Sequence, residues 1–275
     1  MSGPVLQGKD IFDHLPASCL QTMVNTIPLT VPEVMNTKSS ILIVIAAVIL
    51  VAAVLFLLVG QGFRPTSPQV LPGAEVRAYE GKDLSSINDF RENSIKGPQY
   101  VNISDYRLTV TGLTNNTDVY TYNEVLDRYP HYTKVVTLFC VEGWDVTILW
   151  EGVMVRDLIR DAGIDPRANT VIFTAHDGYT TSFPLDYLMN NDIIMAYRMN
   201  NVTLPADRGY PFQLVAQDKW GYKWIKWIEK IELTDDPDYR GYWEQRGYSN
   251  TGDLGKNFFL TKKSPYFPPE KQYFS

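Results

Sequence analysis

TLFCVEGWDV, Thr137–Val146, puts a cysteine at the end of an apolar run and follows it with an acid, a glycine and a tryptophan. Lys134 to Cys140 and Val146 to Trp150 both read as strands, being rich in β-branched and aromatic residues. Glu142-Gly143-Trp144 breaks the chain between them, because glycine permits a backbone turn that a branched residue resists. The Cys140 thiol is therefore expected to face a cleft. A thiol so placed serves as a small buried hydrophobe, as a nucleophile beside a base, or as a thiolate ligand for a soft metal. Spacing alone leaves all three open.

Outward from this stretch, β-rich runs recur at Tyr106–Leu113, Thr170–Ala175, Asp192–Met199, Phe212–Gln217 and Lys223–Leu233. Tyr122–Tyr129 is one helical pattern. The clearer one is VRDLIRDAGI, Val155–Ile164, which sets Val155, Leu158, Ile159 and Ala162 on one face and stops at Gly163. His176-Asp177-Gly178 reads as a turn. The sequence has no internal repeat. These patterns predict an α+β fold, mixed and β-rich, with one core in a domain spanning residues 76–275.

The chain has 275 residues and a formal net charge of -6. That acidic balance argues against nucleic-acid binding, since a duplex binder needs surplus Lys and Arg to displace counterions. Two cysteines, Cys19 and Cys140, and three histidines, His14, His131 and His176, lack ligand-like spacing. Neither a disulfide framework nor a structural zinc site is expected.

Ile41–Val59 is an uninterrupted apolar run, long enough to cross about 30 Å of hydrocarbon, and predicts a transmembrane helix. Residues 1–40 precede it as a tail, and residues 60–75, rich in Pro, Gly and Ser, follow as a linker. Arg64, Arg77 and Lys82 after the run outnumber Lys38 before it, which favours a cytoplasmic domain. MNTKSS, from Met35, instead reads as the short basic start of an uncleaved signal anchor, with Met35 as an alternative first residue. The anchor reading is adopted: a single-pass cell-membrane protein with its folded domain outside the cytoplasm. Sequons at Asn102, Asn115 and Asn201 are compatible with it.

Beyond these local readings, CVEGW, Trp150-Glu151-Gly152 and VRDLIRDAG together resemble the molybdenum-cofactor domain of the sulfite oxidase family. The CVE-x-W form is most similar to the catalytic subunit branch of protein-methionine-sulfoxide reductases. AYRMNNVTLPADRGYPFQLV, Ala196–Val215, and GYKWIKWIEKIEL, Gly221–Leu233, resemble later segments of that family in the same order. The likeness covers most of Ile87–Thr234.

The resemblance implies a sulfite-oxidase-type molybdopterin-binding fold in which Cys140 is the protein's molybdenum ligand and catalytic centre. Lys226 falls at the family's phosphate-contacting lysine, and Lys223 lies just before it. Arg208 stands where relatives carry a cofactor-touching His or Asn, and Asn93 falls in a segment that relatives set against the pterin. Two departures follow. Gln213 replaces an arginine that normally meets the pterin phosphate, and Ala175 replaces a cofactor-contacting threonine. His176 and Asp177 are expected either in the cleft or in an exposed turn.

The branch with sulfite activity clusters arginines after its cysteine, whereas this chain has CVEGWD, so an oxyanion pocket is poorly supported. Tyr242 and Trp243, in the aromatic segment Asp238–Asn250, are expected either to cover the cleft with an apolar wall or, more simply, to pack onto the core. The resulting expectation is a membrane-anchored molybdopterin-dependent oxidoreductase moving an oxygen atom at sulfur, on a small-molecule or protein-bound substrate. With no haem domain and no Fe-S cysteine set, it needs a membrane cytochrome or quinone-linked partner. One alternative is an anchored domain that keeps the fold without redox activity, as Gln213 and Ala175 would suit. Another is a cysteine hydrolase using His131 or His176 as base.

Overall fold

Two long antiparallel strands, the first mostly half-buried and the second buried along most of its length, build the hairpin on which the rest is assembled, in a computed structural model that describes residues 45–52 and 74–259. Met1–Phe63 and Arg64–Ser275 form separate compact units. In the first, residues 45–52 are helical (α1), with Ile45, Val48, Ile49, Leu50 and Val51 exposed. Among the described residues no helix is long and apolar enough to cross a membrane. The tail, the rest of Ile41–Val59 and most of the linker lie outside the described residues.

The second unit runs β1 (Ala78–Tyr79), β2 (Lys82–Asp83), β3 (Leu108–Gly112), β4 (Asp118–Tyr120), α2 (Tyr122–Arg128), β5 (His131–Phe139) and β6 (Asp145–Met154). It continues α3 (Val155–Ala162), β7 (Thr170–Ala175), β8 (Thr180–Pro184), α4 (Leu185–Asn190), β9 (Ile194–Met199), β10 (Val202–Thr203), β11 (Gln213–Val215) and β12 (Ile228–Thr234). β1 and β2 form a two-stranded ribbon; of the two five-stranded sheets, one has the order β10-β9-β6-β5, with β11 also on β9, and the other β4-β3-β12-β7-β8. Among the strands of the described residues only β3 and β12 form a parallel ladder; the remaining ladders are antiparallel. The expected α+β class is what forms.

Helix α2 begins with a capping box in which Thr121 and Glu124 satisfy each other's backbone N–H groups. Helix α3 buries the four residues its spacing puts on one face, Val155, Leu158, Ile159 and Ala162, and packs against β3 of one sheet and β6 of the other. A single apolar core thus joins both sheets, with Trp150, Phe173, Phe212 and Trp227 among its most buried large side chains.

Lys223–Leu233 is not one strand. Gly221–Lys223 forms a 3-10 turn, Trp227 takes a left-handed φ of 53°, and the ladder begins only at Ile228. A bulky residue at positive φ is a true outlier. It is held by the buried indole, whose Nε1 donates to the carbonyl of Ala206 at 2.6 Å. Strand β8 and helix α4 were not expected, since TTSFP and LDYLMN are too short to show a period.

Candidate active site

Strands β5 and β6 are paired down to Phe139 and Asp145, and the five residues between them close the hairpin. Cys140 N–H donates to the Trp144 carbonyl at 2.9 Å, and Gly143 N–H donates back to the Cys140 carbonyl at 3.0 Å. Gly143 sits at φ 83°, where a side chain is strained. The thiol therefore lies on a hairpin tip rather than at a free strand end. Phe139 also bridges to Trp220, bringing Gly221 against the backbone of Phe139 and Cys140.

Beside this tip is a cleft with about 1060 Å³ of empty space, part of it open to solvent. Cys140 lines it, and so do Asn93, Arg208 and Lys226, so four of the five residues expected at a cofactor site converge there. The Asn93 amide donates to Cys140 Sγ at 3.8 Å, a sulfur hydrogen bond. Burial pushes the Cys140 thiol up to about 11. The backbone N–H of Glu142, the Asn93 amide and the charge of Arg91 pull it down by less, while the Glu142 carboxylate adds to the rise. A thiol this desolvated is a poor free nucleophile, but a bound cation supplies the charge that makes it a thiolate. Neither His131 nor His176 lines the cleft: His131 meets Tyr197 and Leu126, and His176 pairs with Glu229. Among the described residues there is thus no histidine base for the hydrolase reading.

Lys226 Nζ donates to Glu92 at 3.0 Å and to the Asp207 carbonyl at 3.2 Å, which leaves one of its three N–H bonds for a ligand. Burial lowers its pKa. Arg208 is buried, donates to the carbonyls of Ile87 and Phe90, and lies over the Phe90 ring. Lys223 stands apart, with its side chain wholly buried outside the cleft lining. The reason is the turn at Gly221–Lys223, which sends this lysine inward while Lys226 reaches the cleft.

Asp177 lines the cleft and its carboxylate accepts from Tyr179 N–H at 2.9 Å, whereas His176 next to it points elsewhere. Trp243 lines the cleft as expected, but Tyr242 does not; Tyr248 takes that place. Reading of the sequence missed Ser94, Tyr179 and Tyr248, because no short pattern marks residues that meet only through long-range folding.

The residues present fit a bound pterin. Ser94 Oγ is buried on the cleft wall with no hydrogen-bond partner, and the Gln213 side chain, also on the wall, makes none among the described residues. Buried polar groups are normally paired, so donors left open at one cleft point to a polar ligand. With a cation-edged wall and a thiol at its end, the layout suits an anionic cofactor.

The family model described as the oxidoreductase molybdopterin binding domain matches residues 95–243, more than half of the chain. The chain belongs to this family and is a molybdopterin-dependent oxidoreductase. It is 30% identical to the uncharacterized oxidoreductase YuiH of Bacillus subtilis, over 58% of this chain and 80% of that protein. It is 33% identical to a putative protein-methionine-sulfoxide reductase subunit of Azospira oryzae, over 54% of this chain and 56% of that one. With the protein-methionine-sulfoxide reductase catalytic subunit of Gluconobacter oxydans it shares 30% identity over 47% of each chain. The chain thus spans about half the length of these last two relatives. The sulfane dehydrogenase SoxCD from Paracoccus pantotrophus shares the fold, with a TM-score of 0.52 and 23% identity over 58% of this chain and 44% of that one.

Proposed function

We propose that this chain reduces an uncharged sulfoxide, on a small molecule or on a protein side chain. The observation that carries the reading is the Cys140 thiol, placed on a hairpin tip facing a cleft whose open polar groups await a ligand. Cys140 is the metal ligand, Asn93 steadies its sulfur, and Lys226 and Arg208 hold the pterin end. The bound cofactor supplies two-electron redox chemistry at sulfur.

The chain's own residues set what enters. Phe90, Trp144, Trp243 and Tyr248 wall the cleft, and Glu142 and Asp177 add negative charge. Of the cations there, Arg208 and Lys226 are turned to backbone carbonyls and Glu92, which leaves Arg91 as a single guanidinium without a partner among the described residues, so a dianion such as sulfite finds no cluster of free guanidinium groups. Aromatic rings suit a polarisable sulfur group. Burial raises the pKa of Tyr248, so its phenol stays a hydrogen-bond donor to a sulfoxide oxygen. In the overall reaction the sulfur–oxygen bond breaks, two electrons and two protons enter, and thioether and water leave.

Those electrons come from a membrane cytochrome or quinone-linked partner, and the run Ile41–Val59 anchors the chain beside it as a single span with the folded domain outside the cytoplasm. Supporting this is the uninterrupted apolar stretch followed by a Pro- and Gly-rich linker. Steady-state assay of the metal-loaded protein with a reduced viologen donor tests the reaction: turnover of a dialkyl sulfoxide without turnover of sulfite supports it, and the reverse preference rejects it.

A further inference from the structure

Lys223 has no N–H bond free. Its Nζ donates to the Ser182 carbonyl at 2.7 Å, to Glu244 Oε1 at 2.6 Å and to the Asn250 carbonyl at 2.9 Å. An ammonium has three donors, so all are used within the protein. Neither Lys223 nor Glu244 exposes any side-chain surface. One nitrogen therefore ties strand β8 to both ends of the segment running from residue 244 to residue 250.

That segment and the residues just before it, from Tyr239, are pinned to β8 by other contacts. Thr181 Oγ1 donates to Glu244 Oε1 at 2.8 Å, Tyr242 N–H to the Thr180 carbonyl at 2.9 Å, and Ser182 Oγ to the Tyr239 carbonyl at 3.1 Å. Gly241 lies so close that an added Cβ would stand 2.2 Å from the Thr180 oxygen. Tyr248 lies inside the tied segment and Trp243 just before it, and both reach the cleft. Their rings touch at 5.1 Å between centroids, and Tyr222, beside Lys223, meets Tyr248 at 5.0 Å.

A buried ion pair contributes little net stability, because desolvation offsets the attraction. What it supplies is a single geometry, since an unpaired buried ammonium is so unfavourable that Glu244 has one place to be. We propose that the Lys223–Glu244 pair positions Trp243 and Tyr248 as the wall against which the uncharged body of the substrate lies, with Lys223 making no contact with cofactor. The substrate's character rests on the reading given under Proposed function; the positioning itself does not.

The test compares the metal-loaded wild type with Lys223→Met/Glu244→Leu, which replaces the pair by apolar groups of similar size, and with Glu244→Gln, which keeps an acceptor at Oε1. Three quantities are read: pterin bound per folded chain, acrylamide quenching of tryptophan fluorescence, and kinetics with dimethyl sulfoxide. Both variants should bind as much pterin as wild type and show greater quenching, and the increase should vanish when Trp243→Phe is added. KM should rise about tenfold in the double variant with kcat little changed, the signature of lost uniform binding. Loss of pterin from a folded variant would assign Lys223 to the cofactor and overturn the proposal. Unchanged quenching in both variants would overturn it too. A wild type inactive toward dimethyl sulfoxide would count against the substrate class alone, and quenching would still decide the positioning.

Discussion

Lys223 and Lys226 lie on one short stretch, GYKWIK, yet the first is wholly buried against Glu244 and only the second borders the cleft. The 3-10 turn at Gly221–Lys223 and the left-handed backbone of Trp227 separate them. Two residues with the same charge thus meet different surroundings: one is tied to the segment that bears Tyr248, the other keeps an N–H bond open at the cleft.

Substituting Lys226→Met should lower pterin affinity, by about 1.5–3 kcal/mol if one charge-assisted hydrogen bond is lost. Stability should change little, because its ion pair with Glu92 is partly exposed. Isothermal titration of the apoprotein with cofactor, beside thermal melts, checks both parts.

Adding a side chain at Gly143 should disturb the site more than the fold. The residue sits at φ 83° in the hairpin loop that carries Cys140. Gly143→Ala is expected to destabilise by about 1–2 kcal/mol, the usual penalty for a left-handed backbone. Activity should fall further than stability, because the loop that moves is the one holding Cys140, the proposed metal ligand; melts and turnover measured on one preparation compare the two.

Gly241→Ala should destabilise the chain by more than about 2 kcal/mol, since the new methyl meets backbone oxygen that has no room to yield. Denaturant unfolding gives the value. Increased acrylamide quenching in the folded fraction would show that the strap bearing Trp243 has lifted.

Acid should loosen the far end of that strap. Burial alone would raise the Asp253 carboxyl, but hydrogen bonds from Lys219 and Lys256 outweigh it and hold it at about 2. A group depressed on folding contributes fully above its ordinary carboxylate range and loses that contribution as pH falls toward its folded value. Asp253→Asn should therefore be less stable than wild type at pH 6, by on the order of 2 kcal/mol, and the gap should close toward pH 2. Urea melts at the two pH values check the sign.

Much of the scaffold was legible because its period was long enough to show. The Lys134–Phe139 part of β5, the one-sided face of α3 and the glycine after Glu142 each act locally and formed where local chemistry put them, whereas the strand also takes in His131–Thr133, which the local pattern did not mark. Lys223 lies away from the cleft because the run read as one strand from Lys223 to Leu233 is interrupted by the turn at Gly221–Lys223 and by the tertiary lock on the Trp227 indole, neither of which leaves a mark in the local pattern. Ser94 and Tyr248 carried no signal, since their place in the cleft depends on residues distant in the chain. Of the aromatic segment, composition indicated a covering role but not which rings would reach inside.

The bond between Cys140 sulfur and molybdenum is tested most directly by X-ray absorption at the molybdenum edge, on wild type and Cys140→Ser loaded under the same conditions. Wild type should show one more sulfur neighbour than the variant, with both proteins folded and both retaining pterin through Lys226 and Arg208. Identical sulfur shells in the two would contradict the account, because the thiol at the hairpin tip would then be no ligand.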